Sequence, residues 1–288
     1  MVEEPNEIQL ICSEVWGGNV RSGLVNEIAQ VHLPGLRCAL YTHPCGGPTG
    51  GDLVYLSACG AGRIARVLVG DVSGHGEDVS HIGAWLHESI RRHINSRTPS
   101  RIFMDLNALV DARGVEALTT AVCMDYNGNS GELTFCYAGC HPIVHYDAQE
   151  KRWKELPAPC SDSEAFRNAI LGVTTDTGFD IGKAMLPKGD ALLIYTDGVI
   201  ETPGADGGMF GVERLLAWLE GADPMDPDAL VLGLAAELEA FSGMHPLQHD
   251  DVTMLAAAAE QDVRGPLLWN MAANRVRRMR RGPLPAER

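Results

Sequence analysis

The sequence has no apolar run of the roughly 18 residues that a membrane-spanning helix needs. Its opening, Met-Val-Glu-Glu-Pro, lacks the basic-then-apolar layout of a secretory leader. Together these absences predict a cytoplasmic protein with no transmembrane segment. The eight cysteines (Cys12, Cys38, Cys45, Cys59, Cys123, Cys136, Cys140 and Cys160) include no C-x-x-C pair. A chain of 288 residues buries an ample core without covalent staples, so reduced and mostly buried thiols are expected. Cys136, Cys140 and His141 are close in sequence, but no second ligand pair answers them to complete a soft-metal site. The chain has no G-x-x-x-x-G-K-[ST] loop, and Gly60-Ala-Gly62 and Gly74-His-Gly76 lack the third glycine of a dinucleotide fingerprint. Nor is there a G-x-S-x-G elbow to make Ser57, Ser73 or Ser80 a triad nucleophile.

Positive charge is also scarce. The formal net charge of −15 argues against nucleic acid as the main partner. The imbalance is uneven, because residues 261–288 carry seven arginines against Asp262 and Glu287, giving a tail of +5 behind a body of −20. Pro266 can open a helix there and Gly282-Pro283 can close it, with Leu268, Trp269, Ala272, Val276 and Met279 on one face. Such a basic amphipathic segment suits contact with a partner or an acidic membrane surface, and equally suits docking on its own acidic body. An acidic body must either repel phosphate or carry cations that reverse the local field.

Apolar, β-branched segments recur between turn residues: Ile8–Val15, Arg37–Thr42, Leu53–Ser57, Ile64–Val69, Thr119–Tyr126, Leu133–Tyr137, Ile143–Tyr146, Ala191–Thr196 and Val252–Ala257. Asn127–Gly131 reads as the turn of a hairpin. Helical spacing marks Asp78–Ile94, Ser100–Asp111, Val212–Glu220 and Asp228–Phe241, the last preceded by Pro227 as helix starts tolerate. No internal repeat or long linker divides the chain. The pattern predicts one α+β domain over residues 1–260 with largely antiparallel sheet, followed by the basic tail 261–288. His81, His87 and His93 follow one another at steps of six, which turns each about 240° from the last on a helix, so they cannot form one ligand face.

Four aspartates stand where strand runs begin or end. Asp71 follows Ile64–Val69 and Gly70, Asp197 follows Ala191–Thr196, Asp250 with Asp251 precedes Val252–Ala257, and Asp52 opens Leu53–Ser57 after Gly50-Gly51. Side chains so placed can converge on one edge of a sheet. Ionised carboxylates a few ångströms apart repel, so convergence calls for cations, and oxygen-only donors suit Mg²⁺ or Mn²⁺ rather than zinc. Two such ions can acidify a water and orient a phosphate for in-line attack. Each Asp-Gly pairing is also an ordinary turn, and spacing alone leaves both readings open.

Taken in order, Gly50-Gly-Asp52, Gly70-Asp-Val-Ser-Gly-His-Gly76, Tyr195-Thr-Asp-Gly-Val-Ile-Glu201 and Asp250-Asp-Val-Thr253 resemble the successive motifs of the PPM (type 2C) phosphatases, in particular their bacterial SpoIIE-like branch. Thr120-Ala121, Tyr137-Ala-Gly139 with His141-Pro142, Leu171-Gly172 and Pro187-x-Gly-Asp190 are similar to the same branch. The likeness extends from about Ile8 to Ala259. It implies two antiparallel sheets packed face to face with helices outside, and two Mn²⁺ or Mg²⁺ ions per active site without a covalent enzyme intermediate. Carried onto this chain, Asp52 would approach both metals and Asp71 one of them. The carbonyl of Val72, Asp197 and Asp250 would complete the shell, with Asp251 behind it. The resemblance further implies a serine/threonine phosphoprotein phosphatase acting in partner-switching signalling on a small anti-sigma-factor antagonist. Larger eukaryotic members place a histidine directly after the loop's Asp-Gly, whereas here it is His75, further on, which leaves a proton-donor role for His75 open. No basic residue matches a phosphate clamp; Arg21 and Arg63 are the candidates. Regulation is expected from a separate chain, the Asn95–Glu116 segment or the basic tail. The competing expectation is an inactive phosphatase-like scaffold that binds phosphoproteins, which would have lost one or more of the four carboxylates.

Overall fold

The computed structural model describes residues 7–8, 13–16, 27–45, 50–59, 63–74, 77–94, 98–159, 167–205 and 207–260. Two sheets lie face to face with helices on both outer surfaces. The first sheet contains β1 (Glu7–Ile8), β3 (Glu27–Leu33), β4 (Leu36–His43), β9 (Val144–Asp147), β10 (Arg152–Glu155), β12 (Ala191–Tyr195) and β13 (Val252–Ala259) in the order β1-β3-β4-β13-β12-β9-β10. The second contains β2 (Ser13–Trp16), β5 (Leu53–Cys59), β6 (Ile64–Val72), β7 (Thr119–Asn127), β8 (Glu132–Ala138) and β11 (Gly182–Met185) in the order β11-β8-β7-β6-β5-β2. Every described ladder is antiparallel except the two-residue pairing of β1 with β3.

Burial on both faces explains why the central strands read as unbroken apolar runs. In β12, Leu192 and Ile194 enter the core between the sheets, while Ala191, Leu193 and Tyr195 face the outer helices. In β13, Leu255, Ala257 and Ala259 point inward and Met254 and Ala256 outward. The outward side is covered by α4 (Gly211–Leu219) and α5 (Pro227–Ser242), through Leu215, Leu219, Leu230, Leu234 and Leu238. Asp226 caps α5 by accepting from the Ala229 amide at 3.1 Å, and Gly243 ends it in the left-handed region. The second sheet is covered by α1 (Glu77–His93) and α2 (Pro99–Arg113), which bury Ile82, Leu86, Ile90, Ile102, Phe103 and Leu106.

The two-sheet α+β architecture matches the expectation, with corrections. Ile8–Val15 is not one strand: β1 belongs to the first sheet and β2 to the second, and residues 9–12 lie outside the described residues. β3, β10 and β11 escaped the sequence reading. β3 keeps a period of two (Ala29, Val31 and Leu33 are buried) but carries Gln30 and His32 between them, so it makes no apolar run. The turn at Asn127–Gly131 is present, closed by the Gly131 amide on the Asn127 carbonyl at 2.8 Å. His81 is exposed, His93 half-buried, and His87 is buried with its ring 6.0 Å from that of Tyr55. Cys38, Cys45, Cys123, Cys136 and Cys140 are free thiols, and Cys12 and Cys160 lie outside the described residues. The basic tail 261–288, His75 and Arg21 lie outside them as well.

Candidate active site

Strand register places the acidic residues. Leu53 pairs with Gly70 across β5 and β6, so the next positions outward, Asp52 and Asp71, stand opposite each other at one end of the second sheet. Tyr195 pairs with Met254 across β12 and β13, which sets Thr196 against Thr253 and puts Asp197 beside the start of β13, just after Asp250 and Asp251. The two sheet ends meet through Thr196. Its hydroxyl donates to Asp52 Oδ2 at 2.9 Å and accepts from the Thr253 amide at 3.0 Å. One side chain thus ties β13, β12 and β5 together at the rim where the aspartates lie.

Asp197 opens α3 (Asp197–Ile200), a single helical turn rather than the end of a strand. Gly198 must be glycine here, because a Cβ would lie 2.1 Å from the Asp251 carbonyl oxygen. His249 fixes this turn from the other side, its Nε2 donating to the Gly198 carbonyl at 2.7 Å. Asp251 has a different task from its neighbour. Its carboxylate accepts from the amides of Cys45 and Gly51, each at 2.6 Å, and so holds the backbone that leads into Asp52. Gly50 allows that approach, since a Cβ there would meet the Asp251 carboxylate at 2.4 Å. Asp250 turns its Oδ1 back to accept from the Asp251 amide at 2.8 Å.

Burial pushes the Asp52 carboxyl well above the ordinary carboxylate range; the hydroxyls of Thr253 and Thr196 pull against it, and the charges of Asp251 and Asp197 push it further up. Asp71 is raised well above its usual value by burial first, then by Asp52, Asp197, Asp250 and Asp251. Asp250 is raised by burial and by the charges of Asp197 and Asp251, with the Asp251 amide and His249 opposing. The Oδ1 of Asp52 is buried without a hydrogen-bond partner among the described residues. An all-oxygen donor set, an orphaned buried acceptor and mutual repulsion fit a hard divalent cation. Among the described residues no three His, Cys, Asp or Glu side chains close tightly enough to cage an ion unaided. An ion here would also draw on backbone carbonyls, water or substrate oxygens, as Mg²⁺ habitually does.

A cleft opens beside the carboxylates, lined by Asp71, Thr120, Gly139, His141, Tyr195 and Asp197 among others. Sequence reasoning gave no role to Thr196, Tyr195 or His141, although all three lie in the quoted motifs. The signal for Thr196 was its position directly before Asp197, matched by Thr253 after Asp250-Asp251. Arg63 is not brought to the site. It precedes β6 at the end opposite Asp71, beside the β7–β8 turn, where its carbonyl accepts from Gly128. That is about 25 Å away along an extended strand. Cys136, Cys140 and His141 make no soft-metal cluster: Cys136 is buried against the outer helices, and the Cys140 thiol donates to the Ala121 carbonyl.

The profile of Stage II sporulation protein E (SpoIIE) matches residues 61–260, which contain Asp71, Asp197, Asp250 and Asp251, while Asp52 precedes the match. A stretch of 105 residues, 36% of this chain, is 27% identical to phosphoserine phosphatase RsbU of Bacillus subtilis and covers 29% of that protein. The structure of the RsbU and RsbW domains of a Mycobacterium tuberculosis protein superposes with a TM-score of 0.67 at 24% identity, covering 84% of this chain and 64% of that one. RsbX, solved in complex with magnesium, superposes with a TM-score of 0.58 at 17% identity, covering 81% of this chain and 99% of its own. The profile spans well over half of the sequence, and the chain belongs to the SpoIIE family.

Proposed function

We propose that this chain is a metal-dependent serine/threonine phosphoprotein phosphatase. The observation that carries the reading is the meeting of Asp52, Asp71, Asp197 and Asp250 at one rim of both sheets, where burial and mutual repulsion push Asp52, Asp71 and Asp250 upward. Asp52, Asp71, the Val72 carbonyl, Asp197 and Asp250 would hold two Mn²⁺ or Mg²⁺ ions. When bound, such ions neutralise the carboxylates, lower the pKa of a water and polarise the phosphoryl group. Thr196 orients Asp52, and Asp251 holds the amides of Cys45 and Gly51 behind it. The magnesium in RsbX and the phosphoserine specificity in the name of RsbU support the metal and the ester class. The retention of all four carboxylates speaks against a binding-only scaffold.

The substrate in this reading is a phosphorylated serine or threonine on a small anti-sigma-factor antagonist, in a cytoplasmic partner-switching circuit, as the family resemblance implies. The basic tail 261–288 is a candidate contact for a partner or an acidic membrane surface. The test is hydrolysis of p-nitrophenyl phosphate and a phosphoserine peptide in Mn²⁺, Mg²⁺ or EDTA, beside Asp197→Asn. Turnover that needs the ion and collapses in the variant is expected. Well-folded protein that turns over neither ester with either ion would establish the scaffold reading instead.

A further inference from the structure

The strand β8 ends at Ala138, and Gly139 just after it sits at φ +65° with its Cβ position 2.3 Å from Ile170 Cγ1. Only glycine makes this turn without displacing Ile170. The turn is pinned on both sides, by the Cys140 thiol donating to the Ala121 carbonyl at 2.9 Å and by the Ile143 amide donating to the Tyr137 hydroxyl at 3.0 Å. Held between these points is His141, half-buried, its ring lying nearly parallel to that of buried Tyr195 (13° between planes, centroids 6.0 Å apart). Neither ring nitrogen of His141 has a hydrogen-bond partner among the described residues. The neighbouring imidazoles are committed: His43 to the Leu247 carbonyl at 2.7 Å and His249 to the Gly198 carbonyl at 2.7 Å. Among the described residues lining the cleft that Asp71 and Asp197 share, His141 is the one with a basic side chain. An imidazole fixed by packing alone, with both nitrogens unspent and facing the reacting space, is arranged to exchange a proton rather than to hold structure.

We propose that His141 is the catalytic proton donor to the leaving seryl or threonyl oxygen. The inference rests on the phosphatase reading above and adds the group that reading lacks. Water oxygen forms the new bond to phosphorus, the bond from phosphorus to the side-chain oxygen breaks, and that oxygen takes the proton of the His141 imidazolium. The proton lost by the attacking water returns through solvent to the imidazole, so the products are a free hydroxyl and inorganic phosphate. A serine alkoxide is a poor leaving group and needs this proton, whereas p-nitrophenolate leaves without one.

That difference supplies the test. With the full chain in Mn²⁺, His141→Gln and His141→Ala are expected to lower kcat on a phosphoserine peptide by about 100-fold or more, the usual worth of a general acid, and on p-nitrophenyl phosphate by less than about 5-fold. Across a series of aryl phosphates the variants should depend more steeply on the acidity of the leaving phenol than the wild type does. An equal loss on both esters, in variants whose thermal unfolding matches the wild type, would assign His141 to holding phosphate and overturn the proposal. Unchanged turnover of the peptide would overturn it too. If the wild type itself is inert on both esters, the phosphatase reading fails first, a result distinct from any pattern among the variants.

Discussion

Two sets of buried charge in this molecule are handled in opposite ways. In the body of the second sheet, Arg66 reaches Asp125 through two contacts, at 2.5 and 2.6 Å, and also donates to the Ile94 carbonyl just past the end of α1. In the first sheet, His145 meets Asp190 at 2.7 Å, and Asp190 accepts from the Ala148 amide as well. Each buried carboxylate there has a partner of its own. At the rim, Asp71 has Asp52, Asp197, Asp250 and Asp251 around it, and Asp52 has the hydroxyls of Thr253 and Thr196 with the charges of Asp251 and Asp197; among the described residues none of the influences on either is a cation. Where a charge serves the fold, the sequence supplies the counter-group. At the rim no described residue supplies such a counter-group among the influences on Asp52 and Asp71, as the proposed metal site requires.

That contrast can be broken from either side. The largest effect is expected at the rim: Asp52→Asn should lower Mn²⁺-dependent turnover on the order of 10³-fold, read as kcat on p-nitrophenyl phosphate. In the body, Arg66→Met strands Asp125 and should cost about 3 kcal/mol of unfolding free energy in urea, since removing one partner of a buried pair leaves an uncompensated charge. Thr196→Val leaves the Thr253 amide unmet and Asp52 unoriented. It should slow turnover about 10-fold and cost about 1–2 kcal/mol, with Thr196→Ser recovering most of both. The smallest effect has the opposite sign. Burial and repulsion raise the Asp71 pKa above its unfolded value, so stability falls as pH rises from the unfolded value towards the folded one, and at neutral pH the carboxyl opposes folding. In EDTA at pH 7, Asp71→Asn should therefore raise the thermal midpoint by about 2–4 °C, and the gain should shrink towards about pH 3, below the unfolded value of about 3.9, where the wild-type carboxyl is largely protonated in both states.

The fold was legible where strands are buried on both faces. β4, β6, β7, β12 and β13 announce themselves as apolar runs, and α2 and α5 by proline at the first turn. It was illegible where a strand is short or half-exposed, as in β10 and β11, whose residues are set by pairing with β9 and β8 rather than by their own pattern. For the site, the sequence placed each aspartate at a strand end, and the resemblance put them in order. Neither disclosed the connection made by Thr196 across the sheets or the position of His141 on Tyr195. Both depend on register and on a turn at Gly139 that brings distant segments together. Asp250 and Asp251 are adjacent in sequence and nearly indistinguishable there. The structure separates them by what their oxygens touch: the Asp251 carboxylate spans two backbone amides, while Asp250 spends one oxygen on its neighbour.

The most direct test of the central claim is Mn²⁺ titration of the purified chain by isothermal calorimetry, for the wild type and Asp71→Asn. The account predicts saturable binding of about two ions to the wild type, with binding weakened or halved in the variant and the wild-type thermal midpoint rising as Mn²⁺ is added. A wild type that binds no Mn²⁺ or Mg²⁺ at millimolar concentration, and whose unfolding is unmoved by either ion, would contradict it.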